Sequence, residues 1–187
     1  MNIEDKIFNY YLKFGSKDYI GEPVTQIEHM VQAAMLAEKN NEDIEVILAS
    51  LFHDIGHLVA FDRETMGNFG IKKHEKLGAD FLRSLGITGK IPSLVENHVS
   101  AKRYLSRNEE YYNKLSYASK QTLKYQGGPF NDLEANKYEN DPNFKDYINI
   151  RLYDDQAKII NFPIKSLEYF KNMLRQYLNN KLVNPKN

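Results

Sequence analysis

Cysteine is absent from the 187 residues. That excludes disulfides, thiolate zinc sites, iron–sulfur clusters and a cysteine nucleophile. Any metal has to be held by nitrogen and oxygen ligands. Net charge is missing too: 25 basic and 25 acidic residues cancel, which argues against a dedicated nucleic-acid binder. No run of about 18 apolar residues occurs, so the sequence predicts no membrane span. The opening Met1-Asn-Ile-Glu-Asp-Lys6 carries acids and no apolar stretch, so no secretory signal is expected. The expectation is a soluble, cytoplasmic protein, a monomer or small homo-oligomer, with neither nucleic acid nor membrane as partner.

What is present is ordinary globular composition, 42% hydrophobic and 27% charged. The length suits one domain over residues 1–187. The patterning predicts an all-α fold. Ile7, Phe8, Tyr11, Leu12 and Phe14 make one apolar face of a helix over Ile3–Phe14. Gly21 and Pro23 break the chain, and Thr25-Gln-Ile-Glu28 reads as a capping box that starts a helix just before His29 and running to about Asn40. A central buried helix is expected from about Asp43, because Ile44 to Phe52 is apolar nearly all round. After a loop over Phe61–Gly70, helices are predicted at about Lys72–Leu85, Ile91–His98, Glu109–Leu115, Ser116–Tyr125, Asp132–Asn140, Phe144–Lys158 and Ser166–Asn180. Gly127-Gly128-Pro129 and Asp141-Pro142 are breaks, and the tail Val183–Asn187 is expected to fray.

The five histidines are His29, His53, His57, His74 and His98, each in or at the end of an apolar-rich helical segment. His53 is followed directly by Asp54. Burying a carboxylate beside imidazoles is costly unless the charge is compensated, and a cation compensates all of them together. Imidazole and carboxylate suit zinc, iron, manganese or nickel. A single core histidine is usually satisfied by hydrogen bonds, so the weight rests on the set: His29, His53-Asp54, His74 and His98 lie on four successive predicted helices.

The order His29, His53-Asp54, Asp154 resembles the HD-domain superfamily, a helical metal-binding fold. The additional His74 and His98 resemble its dinuclear branch. By that resemblance one metal takes His29, His53, Asp54 and Asp154, and the other takes His74 and His98 with Asp54 bridging. Asp154, preceded by Tyr153, is a closer match than its neighbour Asp155. Dinuclear HD proteins divide into phosphohydrolases and di-iron oxygenases. Asp18-Tyr-Ile-Gly-Glu22, Met66-Gly67, His74-Glu-Lys-Leu-Gly-Ala-Asp80, His98-Val-Ser-Ala-Lys-Arg-Tyr-Leu105 and Tyr125-Gln-Gly-Gly-Pro129 together resemble the HD-domain oxygenases that cleave organophosphonates. The likeness runs from about Asp18 to Lys158, with the myo-inositol oxygenases as more distant cousins.

The resemblance implies a mixed-valence Fe(II)/Fe(III) pair, O2 as co-substrate and a small organophosphonate substrate. The substrate would be 2-amino-1-hydroxyethylphosphonate or its N-trimethyl analogue, cleaved to glycine or glycine betaine and phosphate. Lys102, four residues after His98, and Arg151, three before Asp154, each fall one helical turn from a ligand, within reach of a phosphonate. The alternative for both is a solvated surface charge. His57, four residues after His53, and Ser119, which aligns with a phosphonate-contacting hydroxyl, complete the implied substrate set, though either also suits a cap or a buried hydrogen bond. Tyr19 is implied to occupy an iron position until substrate displaces it. Glu22 would hold that tyrosine or pair with the substrate ammonium.

Two other readings compete. A phosphohydrolase would use the metals to activate water, with Lys102 and Arg151 neutralising phosphate. A non-catalytic module would use the metals only to staple the helices or to sense a ligand.

Overall fold

The structure is a computed structural model that describes residues 1–19, 21–60 and 63–183, with side chains through Lys181. Ile20, the first two residues of the Phe61–Gly70 loop and the tail beyond Val183 lie outside the described residues. Among those described, helices follow in the order α1 (Ile3–Phe14), α2 (Gln26–Lys39), α3 (Ile44–Phe52), α4 (Gly56–Val59), α5 (His74–Ser84), α6 (Lys90–Leu105), α7 (Glu109–Lys114), α8 (Tyr117–Tyr125), α9 (Asp132–Glu139), α10 (Phe144–Gln156) and α11 (Leu167–Val183). No strand forms among them; two isolated bridges, Asp18 with Thr25 and Thr65 with Ile71, pin the loops. The all-α expectation holds.

Local chemistry sets the helix starts that matter. At α2 the capping box is complete: Glu28 N donates to Thr25 Oγ1 at 3.2 Å, and Thr25 N donates to Glu28 Oε2 at 2.7 Å. This satisfies two otherwise orphaned amides and fixes the first turn that carries His29. At α3, Val46 N donates to Asp43 Oδ1 at 3.0 Å. Every residue from Val46 to Phe52 is buried, as an apolar helix with no polar face requires. Tyr11 Oη donates to the Leu51 carbonyl at 2.5 Å, closing an end-of-helix acceptor two residues before His53.

Helix α6 extends to Leu105, seven residues beyond the predicted end at His98. No glycine or proline interrupts Val99–Leu105, so nothing stops the ladder there. The single turn α4 was not anticipated. It exists because Gly56 lets two backbones touch: a Cβ at residue 56 would sit 1.9 Å from the His74 carbonyl oxygen. Opposite it, a Cβ on Gly78 would lie 3.0 Å from the Gly56 amide nitrogen.

The core is built where α2, α3, α5, α6 and α10 pack on one another, with α1 and α11 covering α3. Leu48, Leu51, Phe52, Met30, Leu94, Ile150 and Phe170 are fully or almost fully buried in one cluster. Truncating Phe52 to alanine is expected to cost about 3–5 kcal/mol, the sum of lost transfer energy and a residual cavity. The same five helices carry the polar residues described next, so the packing that stabilises the fold also aims them.

Candidate metal centre

His29 projects from α2, His53 and Asp54 from the end of α3, His74 from the start of α5, His98 from the middle of α6 and Asp154 from α10. All six are buried. The imidazoles meet in two pairs: His29 Nε2 lies 3.0 Å from His53 Nε2, and His74 Nε2 lies 3.1 Å from His98 Nε2.

The outer nitrogens settle the tautomers. His29 Nδ1 donates to the Ala157 carbonyl at 2.9 Å, His53 Nδ1 to Ser50 at 2.8 Å, His74 Nδ1 to Ile71 at 3.2 Å and His98 Nδ1 to Val95 at 2.7 Å. A carbonyl only accepts, so each Nδ1 carries the proton and each Nε2 presents a lone pair. Two lone pairs facing each other at about 3 Å repel unless a cation lies between or beside them.

The carboxylates complete two such sites. Asp54 Oδ1 lies 3.1 Å from His74 Nε2 and 3.4 Å from His98 Nε2, while Oδ2 lies 3.6 Å from His29 Nε2 and 3.4 Å from His53 Nε2. One carboxylate therefore divides its oxygens between both imidazole pairs. Asp154 Oδ1 is 3.3 Å from His29 Nε2 and, though buried, has no hydrogen-bond partner among the described residues. A buried, unpaired carboxylate oxygen beside imidazole lone pairs is the signature of a metal ligand. This nitrogen and oxygen set fits two divalent or trivalent metals.

With protons alone to balance the charge, the electrostatics point the same way. Burial opposes ionisation of His29, but the Asp154 and Asp54 carboxylates outweigh it and push it up to about 9. Burial likewise opposes the charge on Asp54, yet the surrounding imidazoles hold it well below the usual carboxylate range. The pocket is built for positive charge.

His57 differs from the other four. Ile71 N donates to its Nδ1 at 3.1 Å, so its proton sits on Nε2. Burial, followed by the charge of His74, lowers it to about 3, and it stays neutral. Its ring stacks on His74 at 4.1 Å between centroids. Gly70, at φ +95°, permits this, since a Cβ there would come within 2.7 Å of the ring. Although one of its nitrogens lies close to Asp54 and His74, an Nε2–H donor suits a ligand oxygen better than a metal.

A cavity of about 50 Å³ opens beside the cluster and is lined by all six residues expected to meet substrate or guard the site: Tyr19, Glu22, His57, Lys102, Ser119 and Arg151. Lys102 and Arg151 are not surface charges; they are 4% and 3% exposed. Lys102 Nζ donates to Thr122 Oγ1 at 2.9 Å and, among the described residues, has no carboxylate in ion-pair contact. Burial and the Arg151 guanidinium bring it down to about 7. Arg151 is committed to carboxylates: Nη1 donates to Asp154 Oδ2 at 2.5 Å, Nη2 to Asp155, and Nε to Tyr111 Oη at 3.0 Å. Tyr111 in turn donates to Asp155 Oδ2 at 2.5 Å. Tyr19 stacks on His29 at 3.9 Å, and burial together with Asp54 raises its phenol well above 10. A phenolate there needs a metal to stabilise it. Glu22 accepts from Lys158 Nζ at 2.7 Å.

Thr122, Gln126, Gln26 and Lys158 were not given roles from the sequence. The first three also line the cavity. Thr122 and Gln126 follow Ser119 by three and seven residues, the spacing of one helical face, so helical spacing counted from Ser119 was the signal that pointed to them. Lys158 stands four residues after Asp154, the same interval that singled out Lys102.

The family model described as HD domain matches residues 27–126, a span that holds His29, His53, Asp54, His74 and His98. The chain belongs to the HD-domain family. It is 37% identical over 177 residues to the 1-hydroxy-2-(trimethylamino)ethylphosphonate dioxygenase (glycine-betaine-forming) of Leisingera caerulea, covering 94% of this chain and 90% of that one. It is 35% identical over 158 residues to the hydroxymethylphosphonate dioxygenase of Gimesia maris, covering 82% and 78%. An uncharacterized protein of Acanthamoeba polyphaga mimivirus is 45% identical over 175 residues, covering 92% and 80%. The Leisingera caerulea and Gimesia maris relatives are both named as dioxygenases of phosphonates, and no helix among the described residues is long and apolar enough to cross a membrane.

Proposed function

We propose that this protein is a di-iron oxygenase that uses O2 to cleave the carbon–phosphorus bond of a small 1-hydroxyalkylphosphonate. The observation that carries the reading is Asp54: one buried carboxylate shared by two facing imidazole pairs, opening onto a cavity with an ammonium that has no carboxylate partner among the described residues. The likeness to two phosphonate dioxygenases over most of the chain supplies the reaction class. The members of that substrate class favoured by the sequence are 2-amino-1-hydroxyethylphosphonate and its N-trimethyl analogue.

In this reading His29, His53 and Asp154 would hold one iron, His74 and His98 would hold the other, and Asp54 would contribute to both. The metals would supply O2 activation and a Lewis-acid seat for the substrate. The chain's own residues do the rest. Lys102 Nζ neutralises the phosphonate, Ser119 and His57 Nε2–H donate to its oxygens, and Arg151 orients Asp154 and adds to the positive field. Tyr19 fills the substrate's place beside Asp54 until displaced, keeping the idle centre covered, and Glu22 steadies the loop that carries it. The balance closes with one oxygen atom of O2 in the carboxylate product and one in phosphate.

The test is direct. Protein loaded with iron under anaerobic conditions is mixed with a hydroxyalkylphosphonate, oxygen is admitted, and phosphate and O2 are followed. Phosphate release matched by O2 uptake is expected. Phosphate released from a phosphate ester without oxygen, with manganese as effective as iron, would instead assign a phosphohydrolase. Metal bound with neither reaction would assign a stapling or sensing role.

A further inference from the structure

Three of the four facing imidazoles are steadied by chain close at hand. His53, His74 and His98 each give the Nδ1 proton to the carbonyl three residues earlier, those of Ser50, Ile71 and Val95. His29 is the exception: its Nδ1 donates at 2.9 Å to Ala157, 128 residues away. A carbonyl three residues back arrives with its own turn of chain. A remote one has to be brought up by tertiary structure and held there.

The backbone at Ala157 is shaped for that contact. Helix α10 ends at Gln156, and Ala157 takes φ −81° and ψ 51°, close to an inverse γ-turn. Lys158 N donates back to the Gln156 carbonyl at 2.9 Å and closes the turn. The Ala157 carbonyl thereby leaves the helical direction and meets His29. The chain that follows has little apolar anchorage, since Ile159 and Ile160 are 51% and 58% exposed. Its fixed point is Gln32. Gln32 Nε2 donates to the Ile159 carbonyl at 2.9 Å, and Ile159 N donates to Gln32 Oε1 at 3.0 Å. One buried side-chain amide grips both backbone groups of a single residue, as a neighbouring β-strand would. Gln32 follows His29 by three residues on the same face of α2. The group that grips the segment and the imidazole that uses its carbonyl therefore sit on one helix.

We infer that Gln32 is a positioning residue for the metal centre: by clamping the Ile159 backbone it holds the Ala157 carbonyl on His29 Nδ1 and keeps His29 Nε2 turned, as a lone pair, toward His53 and Asp154. This rests on the two-metal part of the oxygenase reading and not on its reaction. Gln32 is absent from the cavity wall and acts only through Ile159 and Ala157. A ligand imidazole that loses its outer partner rotates more freely and is a weaker base. The loss is one-sided, because the other three imidazoles hold carbonyls that Gln32 does not reach.

The probe is zinc, which is diamagnetic and fills nitrogen and oxygen sites without redox change. Long-range 15N–1H spectra of zinc-loaded wild-type protein, labelled at the imidazole nitrogens, should show Nδ1–H protons on His29, His53, His74 and His98, all slow to exchange. Gln32→Met keeps the side-chain length and removes both hydrogen bonds. It is expected to speed exchange of the His29 proton, leave the other three at wild-type rates, and weaken zinc by roughly 10–100-fold at the His29, His53 and Asp154 position alone. Unchanged exchange at His29 in a folded Gln32→Met protein overturns the inference. Equal loosening of all four imidazoles overturns it too, because general destabilisation would do the same. Should the variant fail to fold, the wild type decides: protected His29 Nδ1–H and Ile159 N–H protons support the inference, whereas a freely exchanging His29 Nδ1–H overturns it. Wild-type protein that takes up no metal removes both this inference and the oxygenase reading. Metal uptake without phosphonate turnover removes the oxygenase reading alone, since neither readout involves the reaction.

Discussion

Arg151 holds Asp154 by one oxygen and leaves the other free of its grip: Nη1 reaches Oδ2 at 2.5 Å, while buried Oδ1 has no hydrogen-bond partner among the described residues and faces His29. The guanidinium is itself fixed by Asp155 and Tyr111. An outer layer of this kind orients a ligand without touching the metal. Arg151→Met is therefore expected to weaken metal binding at the His29, His53 and Asp154 position by roughly 10–100-fold. The His74 and His98 position should be nearly unaffected. Metal titration with calorimetric or spectroscopic detection checks this; equal losses at both positions would contradict it.

Asp54 turns one oxygen to each imidazole pair, so in the di-iron reading its loss should be indiscriminate. Asp54→Ala is expected to reduce the metal content from two per chain toward none. Elemental analysis after reconstitution and desalting is the measurement, and two retained metals would refute the bridging arrangement.

In the oxygenase reading Lys102 would trade stability for binding. Its ordinary value is 10.5, and burial followed by Arg151 lowers it to about 7 in the folded protein. Between pH 7 and 10.5 the unfolded chain therefore holds a proton that the folded chain has shed. In metal-free protein this lysine's penalty is complete below pH 7 and fades as the pH rises through that window. Lys102→Met is expected to raise stability at pH 6 by on the order of a few kcal/mol, with a smaller gain at pH 10, as measured by denaturant unfolding. The same change should raise KM for a phosphonate at least tenfold. In the wild type, KM should climb as the pH passes about 7 and the ammonium is lost. A pH-independent stability difference would count against the depressed lysine.

Tyr19 stacks on His29 with its hydroxyl beside Asp54. If it covers the idle centre, Tyr19→Phe should make the reduced iron oxidise faster in air without substrate, while added substrate restores the wild-type rate. Stopped-flow absorbance or Mössbauer spectroscopy of frozen samples reads this. An unchanged idle rate would remove the covering role.

Much of the site was legible because its signals are local. Thr25 and Glu28 announce a helix start whatever lies around them, so the turn bearing His29 could be placed from four letters. The His53-Asp54 pair declares itself by the cost of burying it. Contacts between distant segments were not legible. Glu22 and Lys158 are 136 residues apart, and nothing in either neighbourhood announces the other. Arg151 was expected to aim its fork at a phosphonate; that its bonds go to Asp154 and Asp155 depends on how α10 rotates against its neighbours, which spacing along one helix does not encode. The same limit hid α4, whose turn answers to a backbone contact 18 residues away rather than to its own four residues.

That contact has a consequence for descent. Gly56 stands within a methyl's breadth of the His74 carbonyl, and His74 opens the helix that supplies one member of the His74–His98 pair, while Asp54 directly follows His53 of the other pair. The missing side chain thus works as a ruler between the two halves of the centre. Lineages arising from this chain are free to remodel the cavity wall and change what they consume, but any bulk gained at residue 56 would prise the halves apart.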